Sequence, residues 1–187
     1  MRWEQLFSDL ESQWDAELRR SFDAEVADRT RRERATVGLG ERLAAVRQQI
    51  LRVSLSTGEV VEGRVADVGA GWLLLRTTTT GPGPGAALVP FVAVTAVVGL
   101  GRHATSLGVG RRFGFGYALR GLSRDRAVVS LTDRSGAVCT GTIDVVGADV
   151  LELSEHPADV PRRPENLTGS RLVPFASVVV VRQAASA

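Results

Sequence analysis

Lysine is absent from the 187-residue sequence; all 23 basic residues are arginine. Each is therefore a planar, permanently charged fork suited to bidentate contacts. Cysteine occurs once, at Cys139, which excludes an internal disulfide and a cysteine-based zinc site. Within its alternating pattern Cys139 reads as a small buried hydrophobe. Histidine occurs twice, at His103 and His156, and neither has a nucleophile or a second ligand at a recognisable spacing. Both read as surface loop residues. Aromatics make up only 5% of the chain. The most apolar run, Ala86 to Leu100, is broken by Pro90 and too short to cross a bilayer. Met1-Arg2-Trp3-Glu4-Gln5 carries an acid too early for a signal peptide, so the expected compartment is the cytoplasm, without a membrane partner. Formal net charge is only +2 against an apolar fraction of 44%, so the whole chain is no polycation and has enough apolar content for a core.

What the sequence does contain is one pattern written twice. The first copy runs Leu55-x-x-Gly58-x-x-x-x-Gly63, Val68-Gly69-Ala70, Leu73-Leu74-Leu75 and Leu88-Val89-Pro90-Phe91. The second runs Leu131-x-x-x-x-Gly136-x-x-x-x-Gly141, Val146-Gly147-Ala148, Leu151-Glu152-Leu153 and Leu172-Val173-Pro174-Phe175. Aligned this way, the copies differ by two residues in the first turn and six in the later loop. A repeat of this length is a structural unit used twice.

Four segments follow. Residues 1–49 form a charged amphipathic helical arm, with Trp3, Leu6, Phe7, Leu10, Trp14, Leu18, Phe22 and Val26 at steps of three and four. Gly38 and Gly40 mark a kink or break in it. The stripe either packs on the chain's own β units or serves as a partner-binding helix through Trp3, Phe7, Leu10, Trp14 and Leu18. Residues 50–99 make the first β unit, with strands at 51–55, 60–65, 72–76, 88–90 and 92–98 and a Thr/Gly/Pro loop from Thr77 to Gly85. Residues 100–126 are a Gly/Arg-rich linker with a short helix from Arg111 to Ser123. Residues 127–183 are the second β unit, with a longer proline-bearing loop from Ser154 to Arg171 and an apolar run, Val178 to Val181, expected to be buried.

Each unit, with its preceding helix and five short strands, resembles the Sm-like (LSm/Hfq-type) barrel through Leu-x-x-Gly-x-x-x-x-Gly, the apolar strand after it and the closing hairpin. SH3-like and PRC-type barrels share the strand pattern and the apolar-Pro-apolar closure. The whole chain also resembles uncharacterised actinobacterial proteins with a charged N-terminal helix, a likeness that brings no activity with it. The Sm-like resemblance implies an α+β protein in which two pseudo-repeated, closed, five-stranded barrels are joined by the basic linker helix. It also implies assembly by pairing of edge strands, one such pairing inside the chain and an edge left at either end. The family's nucleotide pocket does not carry over, because Gly69 and Gly147 stand where it has an acid, and Pro90-Phe91 and Pro174-Phe175 replace its second motif.

No catalytic, cofactor or metal constellation stands out, and Asp67, Asp144 and Asp149 read as solvated turns and faces. Two functions remain. One is a non-enzymatic assembly module for a protein partner or for self-association as a homo-oligomer. The other is RNA binding through Arg102, Arg111, Arg112, Arg120, Arg124 and Arg126, against which the linker sets only Asp125. Phe113, Phe115 and Tyr117 either stack on bases or pack the linker helix against the second β unit. Protein assembly ranks first.

Overall fold

Helical periodicity at the N-terminus gives α1 (Arg2–Thr36) and, after a break at Val37 and Gly38, a short α2 (Leu39–Ala44). The strands are β1 (Ile50–Leu55), β2 (Val60–Gly69), β3 (Trp72–Thr77), β4 (Ala86–Pro90) and β5 (Val94–Val98). A third helix, α3 (Phe115–Arg124), precedes β6 (Val128–Asp133), β7 (Val138–Val146), β8 (Val150–Glu155), β9 (Gly169–Pro174) and β10 (Val178–Gln183). This computed structural model describes residues 2–77, 85–160 and 162–184; the side chains of 1–13, 15, 16, 18, 33 and 34 lie outside the described set. Most of the expected Thr/Gly/Pro loop, residues 78–84, and Pro161 also lie outside it. Residues 1–38 and 39–187 are separate units. In the first, Trp14, Phe22 and Val26 of α1 are exposed, Trp14 by 71%.

The second unit is built on one antiparallel sheet of ten strands in the order β5-β1-β2-β3-β4-β10-β6-β7-β8-β9. This corrects the expectation of two closed barrels. Closing a five-stranded barrel requires its first and last strands to pair. In the first half β4 pairs instead with β10, through Val181 opposite Leu88 and Arg182 opposite Ala87, and β5 is left at the margin. In the second half β10 is occupied between β4 and β6, and β9 forms the other margin.

Within that sheet the two halves run alike, 5-1-2-3-4 and 10-6-7-8-9. Val53 faces Val61 and Val97, while Leu131 faces Cys139 and Val181. That register makes Leu131 the counterpart of Val53 rather than of Leu55, so the first turn contains no extra residues. Bulges recur at equivalent places, between Val65 and Asp67 in β2 and between Ile143 and Val145 in β7. Gly58 and Gly136 both turn with φ of +84°, a conformation that glycine adopts without a Cβ penalty. A Cβ on Gly63 would lie 2.5 Å from the Arg76 carbonyl oxygen, and one on Gly141 would lie 2.0 Å from that of Ser154. Both glycines let a neighbouring backbone approach closely.

Two hydrophobic cores flank the junction. The first gathers Leu43 and Val46 with Leu51, Val53, Val65, Leu73, Leu75, Ala87 and Val89. The second gathers Leu119 of α3 with Val129, Leu131, Ile143, Leu151 and Leu153. Strands β4 and β10 feed both: Ala87, Val89, Val179 and Val180 enter the first, and Leu88, Val178 and Val181 enter the second. A register shift between Val178 and Val180 allows this division. It explains why Val178 to Val181 are apolar without alternation, since both faces of that strand are covered. Arg182 of the second half also pairs with Glu59 of the first.

The segment between the halves is fastened to the sheet rather than acting as a free linker helix. Leu119 is fully buried in the second core. The Ala70 amide and the Trp72 indole N–H both donate to the Phe113 carbonyl, at 2.9 and 2.8 Å. Arg111 pairs with Glu41, and the Thr105 amide donates to the Glu41 carbonyl at 2.9 Å.

Candidate functional site

Helix α3 is positioned by its buried side. Leu119 enters the second core, and Phe115 meets Phe175 edge to face with ring centroids 5.6 Å apart. The helix ends in a Schellman turn: the Arg126 amide donates to the Ser123 carbonyl at 3.1 Å and the Ala127 amide to Leu122 at 3.2 Å. The left-handed residue of that turn is usually glycine, but here it is Arg126, with φ of +50°. An arginine therefore occupies a backbone conformation that costs a side chain about 1 kcal/mol or more.

Beside this turn lies a polar pocket of about 420 Å³ lined by Ser123, Arg124, Arg126, Thr142, Ile143, Asp144 and Arg162. The β7 bulge makes Asp144 the extra residue of its strand and aims it at the pocket. The Ser154 hydroxyl donates to Asp144 Oδ2 at 2.5 Å, and Arg162 donates to the same oxygen at 2.6 Å. Partial burial works to raise the Asp144 carboxyl. The Ser154 hydroxyl, the Arg162 hydrogen bond, and the charges of Arg162 and Arg126 outweigh it and hold the group below the usual aspartate range. Three arginines and one carboxylate line the pocket, with Arg162 bonded to that carboxylate, so its balance of charge favours an anion.

Behind it, the Thr142 hydroxyl and His156 Nε2 are 2.8 Å apart, and His156 Nδ1 is 2.8 Å from the Pro157 carbonyl. That carbonyl only accepts, which puts a proton on Nδ1. His156 is 2% exposed, not the surface loop residue its neighbours suggested. Ser154, Asp144 and His156 share this patch but form no relay, because Ser154 donates to Asp144 and the imidazole meets Thr142 instead.

An apolar groove of about 240 Å³ runs along the other side of α3, lined by Trp72, Leu74, Leu88, Tyr117, Ala118, Gly121, Leu122 and Arg124. Tyr117 lies over Phe113 with centroids 4.3 Å apart. Arg124 borders both the pocket and the groove.

Of the six arginines read as an RNA-binding set, only Arg124 and Arg126 converge here. Arg111 is held by Glu41, Arg120 lies exposed on α3, and Arg102 and Arg112 are exposed elsewhere in the segment. Arg162 was missed. Its signal was the Arg162-Arg163 pair between Pro161 and Pro164, which lay in a half whose acids outnumber its arginines. In the proposed partner helix Trp14 is exposed, while the side chains of Trp3, Phe7, Leu10 and Leu18 lie outside the described residues. Asp67 pairs with Arg47 at 3.2 Å and accepts from the Val68 amide at 2.9 Å. Cys139 is half-buried in β7 beside the second core; burial pushes its thiol up. Among the described residues no helix is long and apolar enough to cross a membrane, and no three His, Cys, Asp or Glu side chains are placed to hold a metal ion. A scan against protein-family models and a search of curated proteins returned no match for this chain.

Proposed function

We propose that this protein is a non-enzymatic assembly module whose sheet margins pair with protein, foremost with further copies of the same chain. One comparison carries the reading. Leu88 in β4 and Leu172 in β9 are counterparts in the two halves, and so are Val181 in β10 and Val97 in β5. Leu88 pairs with Val181 and is 4% exposed, whereas Leu172 at the free margin is 62% exposed. The chain therefore already contains one example of the contact that β9 of one copy and β5 of the next would make. That contact is heterologous, so repeating it gives a ring if the rotation closes and a filament if it does not. Margins left with unpaired backbone groups and apolar side chains are templates for such pairing. Exposed Trp14, Phe22 and Val26 on α1 add a second surface for a protein partner.

RNA binding has less support. Of the six arginines of residues 102–126 only Arg124 and Arg126 line the polar pocket, and Arg111 is engaged by Glu41. Light scattering across a concentration series tests the main reading. Wild-type mass should rise with concentration, and a charge placed at the margin by Leu172→Lys should hold the protein as a monomer. A wild-type monomer at every concentration would remove self-association from the account.

A further inference from the structure

The two halves match beyond their strands, because each opens with a helix seated on the phenylalanine that follows its fourth strand. Leu39-Gly40-x-x-Leu43 of α2 corresponds to Phe115-Gly116-x-x-Leu119 of α3. Leu43 and Leu119 are both fully buried, each in the core of its own half. A Cβ on Gly40 would lie 3.2 Å from the ring of Phe91, and one on Gly116 would lie 3.1 Å from the ring of its counterpart, Phe175. The repeated unit is therefore a helix and five strands.

Resting on the proposed pairing of β9 with β5 of the next copy, we infer that α2 of that next copy docks on β8 and β9 and pairs its Arg42 with Glu152. The junction inside the chain supplies the template. There α3 packs on its own half and also on the preceding one: Trp72 and Leu88 belong to the second core, and Leu74, Ala118 and Leu122 pack against it. Leu74 of β3 and Ala118 of α3 line the same groove between strand and helix. Strand pairing and helix packing thus occur together at that junction.

Moved along by one half, Trp72, Leu74 and Leu88 become Val150, Glu152 and Leu172; Leu74 faces Leu88 as Glu152 faces Leu172. On the helix, Ala118 becomes Arg42. Leucine and alanine inside the chain are therefore replaced by glutamate and arginine at the free margin. Leu151 and Leu153 enter the second core, so Glu152 between them points to the opposite face. It is exposed there between Val145 and Leu172, which are exposed as well. Among the described residues neither Glu152 nor Arg42 has an ion-pair partner. The change of chemistry follows the change of circumstance. A junction within the chain is never open to water and can be apolar, whereas a margin that waits for a partner stays soluble by carrying charge. One sequence holds both members of the pair at the positions the repeat dictates, which selects a second copy of this chain as the occupant.

Arg42→Glu and Glu152→Arg each set like charges against one another at the contact. Light scattering of the full chain over a concentration series reads the effect. Each variant alone should need roughly three- to tenfold more protein than wild type to reach the same mean mass. An equimolar mixture of the two variants should return to wild-type behaviour, because every contact between unlike chains again joins opposite charges. A folding defect would not be repaired by mixing. If wild type assembles and both variants assemble at the same concentrations, the Arg42–Glu152 contact is overturned and edge pairing stands. A mixture no better than either variant alone would overturn it in the same way. A wild-type monomer at every concentration would remove edge pairing and this contact with it.

Discussion

Leu88 and Leu172 are counterparts in the two halves of the sheet, one buried where β4 meets β10 and the other open at the β9 margin. The same side chain in the same local fold thus has two environments, and the difference between them is a missing neighbour strand. Lysine at the two positions should therefore act oppositely. Leu172→Lys should change monomer stability by no more than about 0.5 kcal/mol. Leu88→Lys should cost on the order of several kcal/mol, because it buries an unpaired charge in the second core. Urea unfolding of both variants checks this, and a similar cost at both sites would mean that the β9 margin is not free.

The close-approach glycines predict a matched pair of effects. Gly63→Ala and Gly141→Ala each place a methyl group against a carbonyl of the neighbouring strand. Each should destabilise by about 1–3 kcal/mol, with Gly141→Ala the worse because its contact is shorter. Gly121→Ala, in open space on α3, should instead stabilise by about 0.4–1 kcal/mol. Denaturant midpoints rank the three.

Acid should loosen the second half through two aspartates. The Ser135 hydroxyl hydrogen bond, helped by the Ser135 and Ala137 amides and opposed by partial burial, lowers the Asp133 carboxyl. Burial works to raise the Asp144 carboxyl, but Ser154, Arg162 and Arg126 together outweigh it and lower the group. A carboxyl lowered on folding contributes stability that is fully present above its unfolded value, near 4, and is lost as pH falls through the folded value. The stability difference between wild type and Asp144→Asn should accordingly be constant from pH 7 to about pH 5 and shrink below about pH 4. Unfolding curves from pH 7 to pH 2.5 measure it; a difference that persists at the lowest pH would show that the carboxylate's charge contributes nothing.

Much of the local structure was legible in the sequence, because it rests on local chemistry. Glycine spacing located the turns at Gly58 and Gly136, and the run from Val178 to Val181 announced a strand covered on both faces. Closure was not legible. Whether β4 pairs with β5 of its own half or with β10 of the other depends on a non-local competition that alternation does not encode. The repeat was also aligned two residues out of register at Leu131, because leucines were matched instead of strand partners. The pocket was half legible. Arg124 and Arg126 stood out in a basic segment, but Arg162 reaches the site from the β8–β9 loop, and Asp144 gains its role from a bulge that only the ladder reveals.

Edge pairing is tested most directly by its register. Carried over from the internal junction, Leu172 of one copy should face Val97 of the next and Arg171 should face Val98. With Cys139→Ser as background, one chain carries Leu172→Cys and another carries Val97→Cys. Mixed under mild oxidation, they should form a disulfide-linked dimer that neither forms alone, with yield rising with concentration. No mixed disulfide at concentrations where wild-type mass exceeds that of a monomer would contradict pairing of β9 with β5.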